Sequence, residues 1–276
     1  MYNTNMNETI EKFLKQNNFD IDAINMNMFR IRSDSEINPI LNRFYIPGKK
    51  EQKEVSIAEI CGYSYEYYEL SNNLLDNLSY FYNENGSGYQ TRSVGFLSYD
   101  ADQLLELLKE VCKKDTMCLR ECEHNKYVIT DNGLHRYNIL RFHFLNELSK
   151  VGQDIQAYKA LKKKYTVQVS VQKTDYIKTY SYCILRKIFP TIQIQAEYDK
   201  DYNITGNSVV TINGDKTKVF NDAKLIELVK WAVENNKEII DRYIDMFEFY
   251  DENLISFHEF LTQNNINLLS NGVNYE

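Results

Sequence analysis

Segments with strand-like and helix-like patterning alternate along this chain. Val55 to Ile60 and Tyr165 to Val171 have the β-branched, alternating composition that is typical of strands, whereas Ala101 to Cys112 and Asp222 to Asn235 place apolar residues at helical spacing. The 276 residues include only 3 prolines and 10 glycines, so we expect no long low-complexity linker. The pattern predicts an α+β protein that is long enough to bury a core.

We expect an α/β domain over residues 55–150, preceded by an N-terminal extension over residues 1–54 that packs on it and ends in a polar hinge at Lys49 to Lys53. The predicted order after the first strand is helix, loop, helix, two short strands, tight turn and long helix. Asp100 is the predicted N-cap of the second of these helices. The other elements are placed at Tyr67 to Phe81, Met117 to Glu121, Tyr127 to Thr130, Asp131 to Gly133, and from there to about Lys150.

Residues 151–276 are predicted to form a second α/β domain of unknown role. A turn is expected around Thr205-Gly206-Asn207, and Asn213-Gly214-Asp215 has the composition of a hairpin turn leading to a strand at Lys216 to Phe220. Amphipathic segments follow up to Gln263. This half of the chain should therefore carry a small antiparallel sheet and then C-terminal helices.

The turn after the strand at Tyr127 has the chemistry of an anion site. The first backbone N–H groups of a helix lack internal partners, and the helix dipole favours negative charge there. Gly133 allows close approach to the backbone, and Arg136 in the first helical turn can hold phosphate oxygens through two donors. His135 can donate to the same group or exchange a proton. Asp131 is placed either to bind a metal or act as a base, or to cap the helix.

The stretch from Tyr127 to Arg136 (YVITDNGLHR) resembles the signature of the ParB/sulfiredoxin superfamily, in which a strand leads into a G-x-[HR]-R turn and a helix. The upstream stretch Tyr89 to Arg92 (YQTR) is similar to the Y-Q-P-R-like segment of the ParB branch, and the resemblance covers about residues 55–150. It implies a phosphate-binding site made of Asn132, Gly133, His135 and Arg136, with Arg92 lining the same cleft. Sulfiredoxins carry a catalytic cysteine where this chain has Leu134, so sulfinic-acid reduction is not expected.

These observations lead to a nucleotide-binding protein as the first hypothesis. The ligand would be ATP or another nucleotide with Mg²⁺, and the chemistry phosphoryl transfer or NTP hydrolysis with Asp131 and His135 as catalytic residues. A second hypothesis is a non-enzymatic binding or regulatory protein of a mobile element, whose C-terminal domain recognises a protein partner. A metal-dependent nuclease is a third, because the fold does not fix the reaction.

Charge and cysteine content narrow the classes of partner. The net charge of −7 and pI of about 5.3 lack the basic surplus of a dedicated DNA-binding protein. A local basic patch is conceivable at six lysines, namely Lys150, Lys159, Lys162, Lys163, Lys164 and Lys173. The spacing of Cys112, Cys118, Cys122 and His124 favours buried thiols over structural zinc. With no apolar N-terminal segment and no membrane-length apolar stretch, we expect a cytoplasmic protein without a membrane partner.

Overall fold

The computed structural model describes residues 32–64, 99–214 and 216–268, together with residues 12, 14–16 and 19, and within these it leaves the side chains of residues 33, 109, 112–114, 135 and 216 undescribed. The chain divides into two compact units, each assembled from separate segments. The first takes its residues from Met1–Ser33, Gln52–Arg120 and Lys126–Val171, and the second from Asp34–Glu51, Glu121–Asn125 and Gln172–Glu276. The expected domain boundaries after residues 54 and 150 stay a prediction.

Strands and helices alternate, as the sequence predicts, and form two sheets with helices around them. The strands are β1 (Arg32–Ser33), β2 (Pro47–Ser56), β3 (Ile60–Tyr63), β4 (Met117–Glu123), β5 (Lys126–Ile129), β6 (Thr166–Thr174), β7 (Gln193–Tyr198), β8 (Ile204–Ile212) and β9 (Lys216–Phe220). The helices are α1 (Asp34–Ile37), α2 (Leu41–Phe44), α3 (Ala101–Lys114), α4 (Leu134–Val151), α5 (Ile155–Lys164), α6 (Tyr176–Ile188), α7 (Asp222–Asn235), α8 (Lys237–Asp241), α9 (Ile244–Asn253) and α10 (Ile255–Gln263). The mixed α and β architecture is consistent with the expected α+β class.

The larger sheet has six strands in the order β1-β3-β5-β4-β6-β2. Its first three strands are parallel, with Ser33 beside Tyr63 and Tyr63 beside Ile129. β4 and β5 are neighbours joined by a turn in which Asn125 adopts a positive φ of 56°. The carboxyl ends of β1, β3 and β5 therefore lie at one edge of this sheet.

Two predictions for the start of this sheet are wrong. The segment Lys49 to Lys53 is part of β2 and not a hinge, and the strand expected at Val55 to Ile60 is split by a 3-10 turn at Ile57–Glu59. β2 is the last strand in the sheet order, and its residues 49–52 are all exposed. An edge strand facing water needs no apolar alternation and is often lined with charges, which explains why its sequence resembles a polar linker.

The first unit has its own apolar core, to which α3 contributes one face and α4 a continuous buried stretch over residues 137–145. Leu104, Leu105 and Leu108 of α3 and Leu140 and Leu145 of α4 are buried in one cluster. α3 begins where the sequence predicts, because the Asp100 carboxylate accepts from the backbone N–H groups of its first turn, Asp102 at 3.0 Å and Gln103 at 2.8 Å. The predicted helix over Tyr67 to Phe81 lies outside the described residues.

The second unit contains the small antiparallel sheet and the C-terminal helices that the sequence predicts. β8 lies between β7 and β9 and pairs antiparallel with both. A separate core of buried residues includes Ile184, Leu225, Val229 and Phe257. Asn213 and Gly214 take positive φ angles of 54° and 79° in the predicted hairpin turn.

The turn expected at Thr205-Gly206-Asn207 is instead inside β8, and the chain reverses at residues 199–203. Asp199 organises this reversal, because its Oδ1 accepts from the backbone N–H groups of Asp201 at 2.8 Å and Asn203 at 2.9 Å. These hydrogen bonds hold the pKa of the Asp199 carboxyl below its usual value, with the Asn203 backbone as the main cause. Gly206, with φ of 96°, accompanies a register shift in the β7–β8 pairing.

Candidate functional site

The predicted anion-binding turn lies at the edge where the three parallel strands end. β5 ends at Ile129, beside Tyr63 at the end of β3, and the Ser64 N–H donates to the Ile129 carbonyl at 2.9 Å. Residues 130–133 then lead directly into α4. In sheets with parallel strands, ligands bind outside the carboxyl ends of those strands. The fold thus places the turn where a ligand site is expected.

Gly133 is required at the start of α4 for two independent reasons. Its φ of 112° is one that side-chain-bearing residues rarely adopt, and a Cβ at this position would lie 2.4 Å from Cγ of Met117. The buried glycine occupies the N-cap position, and its carbonyl accepts the first helical hydrogen bond from Tyr137 N–H at 2.9 Å. The Asn132 carbonyl accepts from Cys118 N–H at 3.0 Å, which ties the turn to β4.

Asn132 and Arg136 both donate to one carboxylate, that of Asp115. Arg136 Nη2 lies 3.1 Å from Asp115 Oδ2, Asn132 Nδ2 donates to Asp115 Oδ1, and Arg136 Nη1 donates to the Asp115 carbonyl. The Arg136 side chain is 12% exposed, whereas that of Asp115 is 63% exposed. The donors of the turn therefore already bind an anion, which is the carboxylate of Asp115, the residue that follows α3.

The other predicted site residues are placed as follows. Asp131 is exposed in the turn, two positions before the N-cap at Gly133, so it does not cap α4. His135 is in the first turn of the helix, but its side chain is outside the described atoms, and Arg92 is outside the described residues. The structure thus brings together Asn132, Gly133 and Arg136.

Sequence reasoning missed Asp115 and the buried polar face of α4. Asp115 lies far from the motif in the chain, and its only local signal is a position just after a predicted helix. On α4, the Tyr63 hydroxyl donates to Asn138 Oδ1 at 2.8 Å, the Tyr137 hydroxyl donates to the Ile60 carbonyl at 2.7 Å, and Arg141 is fully buried. Burial raises the pKa of Tyr137 to about 12, an effect that the nearby Arg141 opposes. These groups fix α4 against β3 and so hold the turn in place.

The basic patch that the sequence suggested is partly neutralised. Lys162 pairs with Glu59 at 3.4 Å, and Lys164 pairs with Glu147 at 3.0 Å and Asp102 at 3.1 Å. In the second unit, Lys173 pairs with Glu121 at 2.8 Å. Lysines held by carboxylates contribute less to phosphate binding, so this surface gives little support for a nucleic-acid partner.

The described residues include no group of three or more histidine, cysteine, aspartate or glutamate side chains that could hold a metal ion. Among the described residues, Cys61, Cys118, Cys122 and Cys183 form no disulfide bond, and burial raises the pKa of Cys183 to about 12. In the described part of the chain, no helix combines the length and the apolar character needed to cross a membrane.

Comparison with known proteins adds no assignment. No protein-family model matches the sequence, and neither a curated protein nor a solved structure matches the chain. The resemblance to the ParB/sulfiredoxin superfamily therefore stays a prediction that depends on the short motifs themselves.

Proposed function

We propose that the turn at residues 130–136 binds a phosphate group of a nucleotide, in the manner implied by the resemblance to the ParB/sulfiredoxin superfamily. The observation that carries the proposal is the convergence of Asn132 and Arg136 on the Asp115 carboxylate. A guanidinium binds carboxylate and phosphate oxygens with the same paired geometry. The donors of Asn132 and Arg136 that bind the Asp115 carboxylate can therefore bind a phosphate when the carboxylate moves away.

The exposed fractions of the Arg136 and Asp115 side chains support the replacement of the carboxylate by a phosphate. Arg136 is largely buried and is fixed on α4, whereas Asp115 is mostly in solvent. An ion pair whose carboxylate is mostly in solvent contributes little free energy, because water and salt screen that carboxylate. A phosphate, which also interacts with the N–H groups at the start of α4, can therefore displace Asp115 at modest cost.

Mg²⁺ fits this site as part of the ligand. In proteins Mg²⁺ is commonly held by one or two carboxylates together with substrate phosphates, and Asp131 supplies an exposed carboxylate beside the turn. The proposed chemistry is phosphoryl transfer or NTP hydrolysis. In it Asp131 would hold the metal ion or accept a proton from the attacking hydroxyl, and His135 would donate to the phosphate.

Calorimetric titration tests the binding proposal. ATP, ADP, CTP and inorganic phosphate should give saturable binding to the wild type, and Arg136→Ala should weaken it by about tenfold or more, since a hydrogen bond to a charged group is lost. Arg242→Ala, which removes an exposed arginine from the second unit, is the control and should bind as the wild type does. A flat wild-type titration would refute the proposal and favour the non-enzymatic alternative.

Product formation tests the catalytic part separately. Phosphate release from a nucleotide in the presence of Mg²⁺ should be lost in Asp131→Asn while nucleotide binding is retained. Unchanged turnover in this variant would remove Asp131 from the catalytic role and leave the binding proposal standing.

A further inference from the structure

Among the buried polar atoms of the second unit that lack a hydrogen-bond partner within the described part of the structure, two carry complementary hydrogen-bonding groups. They are Oε2 of Glu123, at the end of β4, and the phenol oxygen of Tyr176, in the first turn of α6. The Glu123 residue is only 1% exposed. Buried groups of this kind are almost always paired, with protein or with an internal water.

The other oxygen of Glu123 is well satisfied. Oε1 accepts from Ser256 N–H at 3.0 Å and from His124 N–H at 3.2 Å. Ser256 is the second residue of α10, where the helix dipole stabilises a negative charge. Oε1 therefore has two donors, whereas Oε2 lacks a donor within the described part of the structure.

Two separate sets of contacts connect the Tyr176 ring to the residues whose N–H groups donate to this carboxylate. The ring packs edge-to-face on His124, with centroids 5.0 Å apart, and the His124 N–H donates to Glu123. The ring also stacks on Tyr180, with centroids 5.6 Å apart, and the Tyr180 hydroxyl bonds the hydroxyl of Ser256, whose N–H donates to Glu123. Burial, with the charges of Glu121 and Glu123 as further causes, raises the pKa of Tyr176, so the phenol keeps its proton and remains a donor.

We propose that one internal water molecule lies between Tyr176 and Glu123, where it accepts from the phenol and donates to Oε2. The two unpaired atoms are complementary, one a donor and the other an acceptor, and water is both. An alkali cation would satisfy the carboxylate but would leave the phenol O–H without an acceptor. Internal waters typically make about three hydrogen bonds to such groups. This water would join the end of β4 to α6, next to the start of α10.

A crystal structure of the full chain at high resolution tests the proposal directly. We expect a density peak at hydrogen-bonding distance, about 2.6–3.2 Å, from both Tyr176 Oη and Glu123 Oε2. Crystals soaked in rubidium chloride should show no anomalous signal at this peak. A direct Tyr176–Glu123 hydrogen bond, an empty space, or a rubidium peak would each overturn the proposal.

Oxygen-17 relaxation dispersion provides a solution test, because it counts water molecules with long residence times. Tyr176→Phe should lose one such water relative to the wild type. Tyr182→Phe is the matched control on the same helix, where the ring contacts Phe44, and should keep the wild-type count. An unchanged count in Tyr176→Phe would overturn the proposal, and the wild-type crystal decides the question if that variant fails to fold.

Discussion

Asp115→Asn should raise the affinity for phosphate, because the carboxylate of Asp115 competes for the donors that the ligand needs. The ion pair between Arg136 and an Asp115 side chain that is 63% exposed is worth about 0.2–1 kcal/mol at most sites of this kind. The hydrogen bond from Asn132 adds about 0.5–1.5 kcal/mol net. Phosphate must therefore offset about 0.7–2.5 kcal/mol, or about 3- to 60-fold in affinity. The asparagine oxygen can still accept from Asn132, so we expect a gain near the lower end, about threefold.

The assay is calorimetric titration of inorganic phosphate at fixed ionic strength. Glu106→Gln is the matched control, because it removes one negative charge from an exposed position of α3 away from the turn. Equal increases in phosphate affinity in Asp115→Asn and Glu106→Gln would mean that the change in net charge alone causes the increase. An unchanged or lower affinity in Asp115→Asn would refute the competition.

Three further outcomes are expected. Gly133→Ala should lower the free energy of unfolding by about 2 kcal/mol or more, because alanine is strained at this positive φ and its Cβ would collide with Met117. Gly152→Ala, at a φ of 60° but with open space around it, should lower the free energy of unfolding by less in the same urea titration. Asp100→Ala should cost about 1 kcal/mol through loss of the α3 cap, and an unchanged urea midpoint would contradict this role. Because burial raises the pKa of Tyr137 from 10.0 to about 12 in the folded state, the unfolded chain releases this proton first. The contribution of Tyr137 to stability is therefore intact below pH 10 and is lost as the pH rises toward 12. The difference in absorbance at 295 nm between the wild type and Tyr137→Phe should place this ionisation near pH 12, and ionisation near pH 10 in the folded protein would contradict its burial.

Elements with strong local signals could be predicted from the sequence. α3 follows from Asp100 and its leucines, α7 has the predicted bounds Asp222–Asn235, and the β8–β9 turn follows from Asn213 and Gly214. β2 could not be predicted, because a solvent-exposed edge strand carries the charges of a linker. The composition of the two units could not be predicted either, since each unit joins segments that are distant in the chain.

The same distinction applies to the candidate site, where a local feature could be predicted and a long-range contact could not. The glycine at the start of α4 was predicted from local sequence, and its positive φ was found. The pairing of Arg136 with Asp115 depends on how α3 and α4 pack, and no local pattern encodes it. Likewise, the full burial of Arg141 on α4 depends on tertiary packing and is not encoded in the local sequence.

Phosphate titration followed by ¹⁵N-edited NMR tests the anion site most directly, because it reports on individual N–H groups. We predict saturable shifts that are largest at the backbone amides of Gly133, Leu134 and Arg136 and at the side-chain amide of Asn132, and that disappear in Arg136→Ala. Shifts confined to other parts of the protein, or none at saturating phosphate, would contradict an anion site at the start of α4.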